Sequence, residues 1–404
     1  MSQKHVVVIG SGIVGITTAY YLQEFGFKVT ILEQEHTFAS GASFANGGQI
    51  SFSHILPISI KSTWKDLLKY KIHINTTPTL ITNYKKDQNL QTWLKANNIP
   101  DETSIQTLES LSTTAHDEYL KIHALLKDKI TIKDCGILHI FRNQADLDQY
   151  ITNIEQFTSP ILSNRQILSR EEAVELEPSL AVSAQKVHGG VYFPSDKTAN
   201  CYEICHELLK YITERGCEIH YNTHITDFEI KDSKVVNAIT HSGSKFNADA
   251  FVVCNGHNQT LTNLLNFNTN TYPVRGYSVM INTDYSDNSP MIGVIDAHNR
   301  MVYSKYKSHL RVAGFFDLGT FDQGLITRRT DTMVNKIYDL FPNLQRGKII
   351  YRWTGLRPMT PNMLPITQKT NQDNAFVNTG HGPLGLTLAP SSAKKIAQII
   401  KDAV

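Results

Sequence analysis

The sequence predicts an α/β chain of two interleaved domains: one built on a parallel sheet wound with helices, the other α+β around a mixed or antiparallel sheet. Three observations predict it. A β-branched run, His5 to Ile9, leads through a glycine turn into an apolar-periodic helix and a second strand. Strands that end in glycine turns return near 250 and again near 377. Between these segments, polar helical stretches alternate with β-rich ones.

Taken in order, His5–Ile9 has the continuous apolar character of a strand buried on both faces. Residues 13 to 25 carry Ile13, Ile16, Ala19, Tyr20 and Leu22 at helical spacing, and Gly26 is the stop signal. Lys28 to Leu32 closes a β-α-β unit. Residues 37 to 54, rich in Ser, Ala, Gly and Asn, form a loop with its backbone open for contacts. From about 60 to 180 the chain is polar and mostly helical, with strong periodicity over 103 to 128 and a strand at 136 to 142. A helix capped near Thr198 and ended by Gly216 follows, then short strands, then Asp249 to Gly256 as a strand entering a glycine turn. A β-rich stretch from 272 to 316 and a helix near 328 to 341 precede the closing segment. The expected division is 1–85, 187–270 and 345–404 for the first domain, and 86–186 and 271–344 for the second.

At 404 residues, 41% apolar and 19% charged, the chain fits a globular protein of two domains. Lysine plus arginine is 39 against 37 acidic residues, a net +2, which gives no electrostatic case for nucleic acid. Five cysteines without a framework spacing read as reduced intracellular thiols. Cys201 and Cys205 share a helix face, but an i,i+4 pair without further ligands is no metal site, and none is expected. The apolar run 6 to 22 is broken by Gly10, Gly12 and Gly15 and is followed by no cleavage site, so it reads as strand, turn and helix rather than a leader or anchor.

Gly10-Ser11-Gly12-Ile13-Val14-Gly15 follows a strand and opens a helix. The first glycine permits the turn, the second lets backbone N–H groups approach a pyrophosphate, and the third lets helix and strand pack closely. Glu33, at the end of the second strand, can accept hydrogen bonds from an adenosine ribose. The unit therefore binds a dinucleotide. Near the C-terminus, Val377 to Thr387 reads as strand, glycine loop and helix start, a second positive helix end suited to a flavin's reduced pyrimidine ring. That favours FAD over NAD.

These segments resemble the FAD-dependent D-amino acid oxidase superfamily. The matching stretches run nearly the full length: GSGIVGITTAYYL, SGASFANGGQIS, YPVRGYS, RVAGF, WTGLRPMTP and NTGHGPLGLTLA. The resemblance implies a Rossmann-type FAD-binding domain interleaved with a substrate domain, and non-covalent FAD held by Gly10 to Gly15, Glu33, Gln34 and the loop Ala42, Ser43, Asn46, Gly47, Gly48 and Gln49. It implies that Ile225 meets adenine through its backbone, that Asn255 and Gly256 lie beside the nucleotide, and that Gly380, His381, Gly382, Leu384, Gly385, Leu386 and Thr387 face the isoalloxazine. Arg357 matches the arginine that clamps the substrate carboxylate. The residues agree on this point, because fixing a carboxylate so that Cα–H faces flavin N5 calls for a planar bidentate cation. The bland alternative is an arginine paired with a core carboxylate. Arg275, where relatives often carry lysine, either sits by the flavin or bridges the domain interface. Tyr277, Tyr303 and Tyr306 are candidate orienting hydroxyls, each with a packing alternative, and His381 shapes the ring's environment.

The activity implied is hydride transfer from Cα of a D-amino acid, giving a 2-oxo acid and ammonia, with electrons passed to a quinone or carrier. The alternatives are a glycine- or sarcosine-type amine oxidase using oxygen, an L-specific dehydrogenase, the flavin domain of a tRNA-modifying enzyme, and a flavin-bound structural subunit. No GxSxG or HExxH is present, and an isolated SxxK at 62 to 65 carries little weight. A cytoplasmic location is expected. The mixed apolar and basic stretch 54 to 74 is either a peripheral contact with the inner face of the plasma membrane or a solvated lid.

Overall fold

The structure, a computed structural model, describes residues 3–54, 79–96, 102–157, 159–284, 289–319, 324 and 326–404. Its first sheet has six strands in the order Glu218–His220, Lys28–Leu32, His5–Ile9, Ala250–Val253, Ala375–Thr379 and Ile366–Lys369. All neighbours run parallel except the last pair. The side chains alternate as a doubly covered sheet requires. Val6 and Val8 pack with Ile16, Leu208, Ala393 and Ile396 of helices Ile13–Glu24, Cys201–Glu214 and Gly385–Ala403. Val7 and Ile9 pack with Ile225, Phe228 and Val235 of a three-stranded antiparallel sheet on the other side.

The second sheet is mixed and has nine strands. Its main path runs Ile349–Met359, Tyr272–Asn282, His309–Leu318, Met301–Tyr306, Gly293–Asp296, Ile137–Phe141, Gly189–Phe193 and Gln166–Ser169, with Thr79–Ile81 added beside His309–Leu318. One face is covered by helix Thr327–Leu340, whose Met333, Val334, Ile337 and Leu340 pack on Tyr277, Val279, Val312 and Phe315. The opposite face fronts the glycine turns of the first sheet.

The first two strands fall where the sequence places them, and the first helix ends one residue early, at Glu24, with Gly26 at φ +90°. Other elements depart from expectation. The helix beginning at Cys201 is capped by Asn200, whose side chain accepts from the Tyr202 N–H; Thr198 lies in the short strand before it. The sheet pairings also cut across the expected domain boundaries. Ile349–Met359 and Gly189–Phe193, assigned to the first domain, belong to the nine-stranded sheet. Helix Glu102–Leu125, assigned to the second, buries Ala115, Tyr119 and Ile122 in the core of the first. Its apolar stripe is complementary to the terminal helix, and burial decides membership more than position in the chain does. The stretch 55 to 74, with the SxxK, lies outside the described residues. Among the described residues, no helix is long and apolar enough to cross a membrane and no cluster of metal-ligating side chains exists.

Candidate active site

A cavity of about 960 Å³ runs from the glycine turn after the first strand to the open face of the nine-stranded sheet. Gly10, at φ +107°, approaches the returning strand so closely that a Cβ there would sit 2.6 Å from the Cys254 carbonyl. A Cβ on Gly15 would sit 1.9 Å from Gly10 O, so this glycine lies behind the cavity wall and permits the helix to close on the strand. Gly12, Ile13 and Val14 line the cavity at the helix start, where the Ile13 N–H donates to Ser43 Oγ. Glu33 closes this end. Its carboxylate accepts from Ser11 N at 2.8 Å, Ser11 Oγ at 2.5 Å and Glu35 N at 3.0 Å. Gln34, Ala42, Ile225, Asn255 and Gly256 also line it. The strand carrying Ile225 is tied to the acid's own backbone by Thr223 N donating to Glu33 O at 2.7 Å.

Farther along, the loop Asn46 to Gln49 crosses over the second sheet. Asn46 accepts from Gly48 N, Ser304 donates to Gly47 O, and the Gln49 amide donates to Val294 O and Tyr303 O. The closing segment meets it from the other side, with Thr387 Oγ1 accepting from Ser51 N and Leu386 O accepting from the Tyr119 hydroxyl. His381, Gly382, Leu384, Gly385, Leu386 and Thr387 line the cavity, whereas Gly380 lies behind them, shaping the turn at φ +80°. Burial pushes the His381 imidazole down to about 3, so it is neutral, with Nε2 paired to Ser392 Oγ at 2.7 Å. The helix starts, the glycine approaches and a lining that runs from Glu33 to the C-terminal helix fit a dinucleotide.

Arg357 sits across the cavity on the sheet. Gly276 and Gly355 face each other in register and clear its path. A Cβ on Gly276 would sit 2.4 Å from the guanidinium, and one on Gly355 would meet the Trp353 ring. The guanidinium lies over the Phe316 ring, 4.6 Å from its centroid, and donates from Nη1 to Phe315 O at 2.9 Å. Among the described residues it has no ion pair. Burial lowers its pKa to about 10, with Asp317 opposing that shift, so the group stays charged at neutral pH.

Other expected catalytic side chains are placed differently. Arg275 is buried on the sheet's reverse face, donating to Gly324 O at 2.7 Å beside Asp317 in register. Tyr277 touches the cavity wall, but its hydroxyl donates to Asp317, which Arg329 grips with two N–H groups at 3.0 and 2.6 Å. Tyr303 is packed edge-on against Phe341 away from the cavity, and Tyr306 donates to Ala199 O. Arg275, Tyr277 and Tyr303 follow from strand alternation, which sends successive side chains to opposite faces; Tyr306 shares the parity of Val302 and Ser304 and lies under the Gly48 loop instead. The cavity also brings in residues not foreseen from sequence: Trp353, Phe316, His54, His139 and Tyr150. Only Trp353, inside the WTGLRPMTP segment, had a signal there to find.

The architecture is that of an α/β FAD-binding fold, in which two sheets close on one cavity. The chain belongs to the DAO family of FAD dependent oxidoreductases, whose model matches residues 5–399. FAD is therefore its cofactor. The chain is 30% identical to a protein named D-amino acid dehydrogenase from Neisseria meningitidis, covering 98% of this chain and 95% of that one. It is 30% identical to a protein of the same name from Vibrio vulnificus at the same coverage. Among solved structures it resembles glycine oxidase from Bacillus cereus, with TM-score 0.76, 20% identity and coverage of 99% and 95%. L-proline dehydrogenase from P. horikoshii matches with TM-score 0.74, 17% identity and coverage of 100% and 95%. These last two likenesses show the fold.

Proposed function

We propose that this chain oxidises D-amino acids to 2-oxo acids and ammonia and passes the electrons to an acceptor other than oxygen. The observation that carries it is the Arg357 guanidinium: charged, partly buried, without an ion pair among the described residues, and set across the cavity from the dinucleotide cradle. A planar fork of this kind holds a carboxylate by two parallel hydrogen bonds and fixes the Cα–H bond in one direction. FAD, when bound, supplies the acceptor for the hydride that leaves Cα. The substrate nitrogen loses its proton, and the imino acid released hydrolyses in water.

Around this centre the chain supplies no anion among the described residues, and the other cation on the lining, Arg300, donates to Thr79. His381 is uncharged, and the carboxylates lining the cavity among the described residues are Glu33 and Glu35, at the far, nucleotide end. An ammonium group has no anion to hold it there, which favours the free amine that can release a hydride. The names of the relatives supply the D configuration and the dehydrogenase assignment. A quinone or small carrier is the acceptor proposed, with the protein at the inner face of the membrane.

The test is anaerobic mixing of the yellow, FAD-loaded protein with D- and L-amino acids, following loss of the visible flavin band. Bleaching by D-isomers and not by L-isomers, glycine or sarcosine is expected. Bleaching by glycine or sarcosine alone overturns the assignment in favour of an amine oxidase. Dye reduction against peroxide yield then separates dehydrogenase from oxidase, and partition of the protein onto quinone-containing vesicles tests the membrane location.

A further inference from the structure

His54, His139 and Tyr150 line the end of the cavity remote from both Arg357 and Glu33, and the function proposed above leaves them without a role. His139 stands on strand Ile137–Phe141, buried, with its ring 5.5 Å from Tyr150, 5.1 Å from Phe193 and 6.4 Å from His54. Its Nε2 has no hydrogen-bond partner among the described residues. Burial, with His54 adding to it, pushes the His139 imidazole down to about 3, and burial lowers His54 as well. His139 is thus neutral, and the three side chains present an aromatic wall. It is also held in place: Ser53 donates from its N–H at 3.0 Å and its hydroxyl at 2.5 Å to the fully buried Asp196, and His54 N donates to Ser51 O at 3.2 Å.

The distance suits a side chain. Arg357 reaches inward as far as strand His309–Leu318, and three strand spacings, about 14 Å, separate that strand from the one bearing His139. A carboxylate contact, Cα and a side chain of four or more heavy atoms span such a gap, with the ring contact at its end. Alanine's methyl does not.

We propose that His54, His139 and Tyr150 form the subsite for the substrate side chain and select uncharged side chains of leucine or phenylalanine size. This rests on the reading that Arg357 takes the α-carboxylate. Among the described residues no carboxylate lines the cavity at this end, and Asp196 behind it is engaged by Ser53, so a lysine or arginine side chain would lose its hydration without gaining a partner.

The experiment measures kcat/KM by dye reduction with FAD-loaded enzyme for D-leucine, D-phenylalanine, D-alanine and D-lysine. D-leucine and D-phenylalanine are expected to exceed D-lysine by about tenfold or more, and D-alanine to fall below both. His54→Glu should then shrink the D-leucine to D-lysine ratio by about tenfold, since a carboxylate now faces the ammonium. His139→Glu is the second variant if the first binds no FAD, and the wild-type panel stands without either. D-lysine or D-alanine oxidised as fast as D-leucine overturns the subsite, as does a folded variant that slows every substrate by one common factor. If no D-amino acid bleaches the flavin, the function proposed above fails instead, and the two failures are distinct.

Discussion

Replacing Arg357 by methionine separates a functional cation from a structural one, because the two roles predict opposite signs. The guanidinium pKa falls from 12.5 to about 10 on folding, a depression of roughly 2.5 units and so about 3 kcal/mol against the charged native state. The sign follows from linkage. The unfolded chain holds this proton more tightly, so the penalty is fully present at neutral pH and is relieved only as pH rises through about 10. Methionine removes that penalty. It also removes one hydrogen bond to Phe315 O and the contact over Phe316, worth about 1 kcal/mol each. The net change is stabilising by about 1 kcal/mol, near 1 °C in Tm for a chain of this size. The catalytic effect is larger. Loss of a bidentate, charge-assisted contact of about 3 kcal/mol lowers kcat/KM for D-leucine by about 100-fold. The assay pairs anaerobic dye reduction with thermal unfolding at saturating FAD. A Tm lowered by more than about 5 °C, or kcat/KM within about threefold of wild type, would refute the reasoning.

Gly10→Ala places a methyl 2.6 Å from Cys254 O at a left-handed φ, so purified protein should carry little FAD and unfold at lower temperature, read from the ratio of visible to ultraviolet absorbance. Gly276→Ala leaves the nucleotide cradle intact but drives a methyl to 2.4 Å from the Arg357 guanidinium; FAD content should be normal while KM for D-leucine rises about tenfold. Burial raises the Asp196 carboxyl from 3.8 to about 7 although Ser53 hydrogen bonds oppose it, so the native state binds a proton that the unfolded chain releases. Its contribution therefore favours folding at acid pH and is lost as pH rises from about 4 through 7, by up to about 4 kcal/mol. Asp196→Asn should gain stability relative to wild type at pH 8 compared with pH 5, measured as the difference between their thermal unfolding midpoints; parallel curves would show that Asp196 does not titrate there.

The nucleotide half of the fold was legible because its signals sit together in the chain. His5–Ile9 is apolar on both faces, the glycines at 10, 12 and 15 mark one turn even though Gly10 answers to the distant Cys254, and Glu33 follows the next strand. The substrate half was not. Residues 349 to 359 carry a recognisable segment, yet nothing local announces an eleven-residue strand, because its half-buried pattern is set by partners in the distant strand Tyr272–Asn282. Helix Glu102–Leu125 was visible by its period, but its allegiance to the terminal helix was not, since an amphipathic stripe does not name what covers it. His139 and Tyr150 sit in stretches with no motif and acquire meaning only where a strand of the nine-stranded sheet and the helix Gln144–Glu155 meet the cavity.

Arg275 and Arg357 show why the site could be only half read. Both are arginines on adjacent strands within a few residues of a glycine, and composition gives neither priority. The register does. Val274 stands opposite Arg357 and Gly276 opposite Gly355, so on these strands 274 and 276 share a face with 353, 355 and 357. That face holds Phe316 and the cavity. Arg275 and Tyr277 fall on the other parity with Asp317 and Arg329, under helix Thr327–Leu340, where their polar groups serve the interior. A slip of one residue would exchange Arg357 for Leu356 and bury the cation beneath the helix. The Gly276–Gly355 pair therefore does more than make room. A side chain at either position would strike Arg357 or Trp353, so the observed pairing leaves the guanidinium room over Phe316 at the cavity, and the same contacts that fix the register aim the charge.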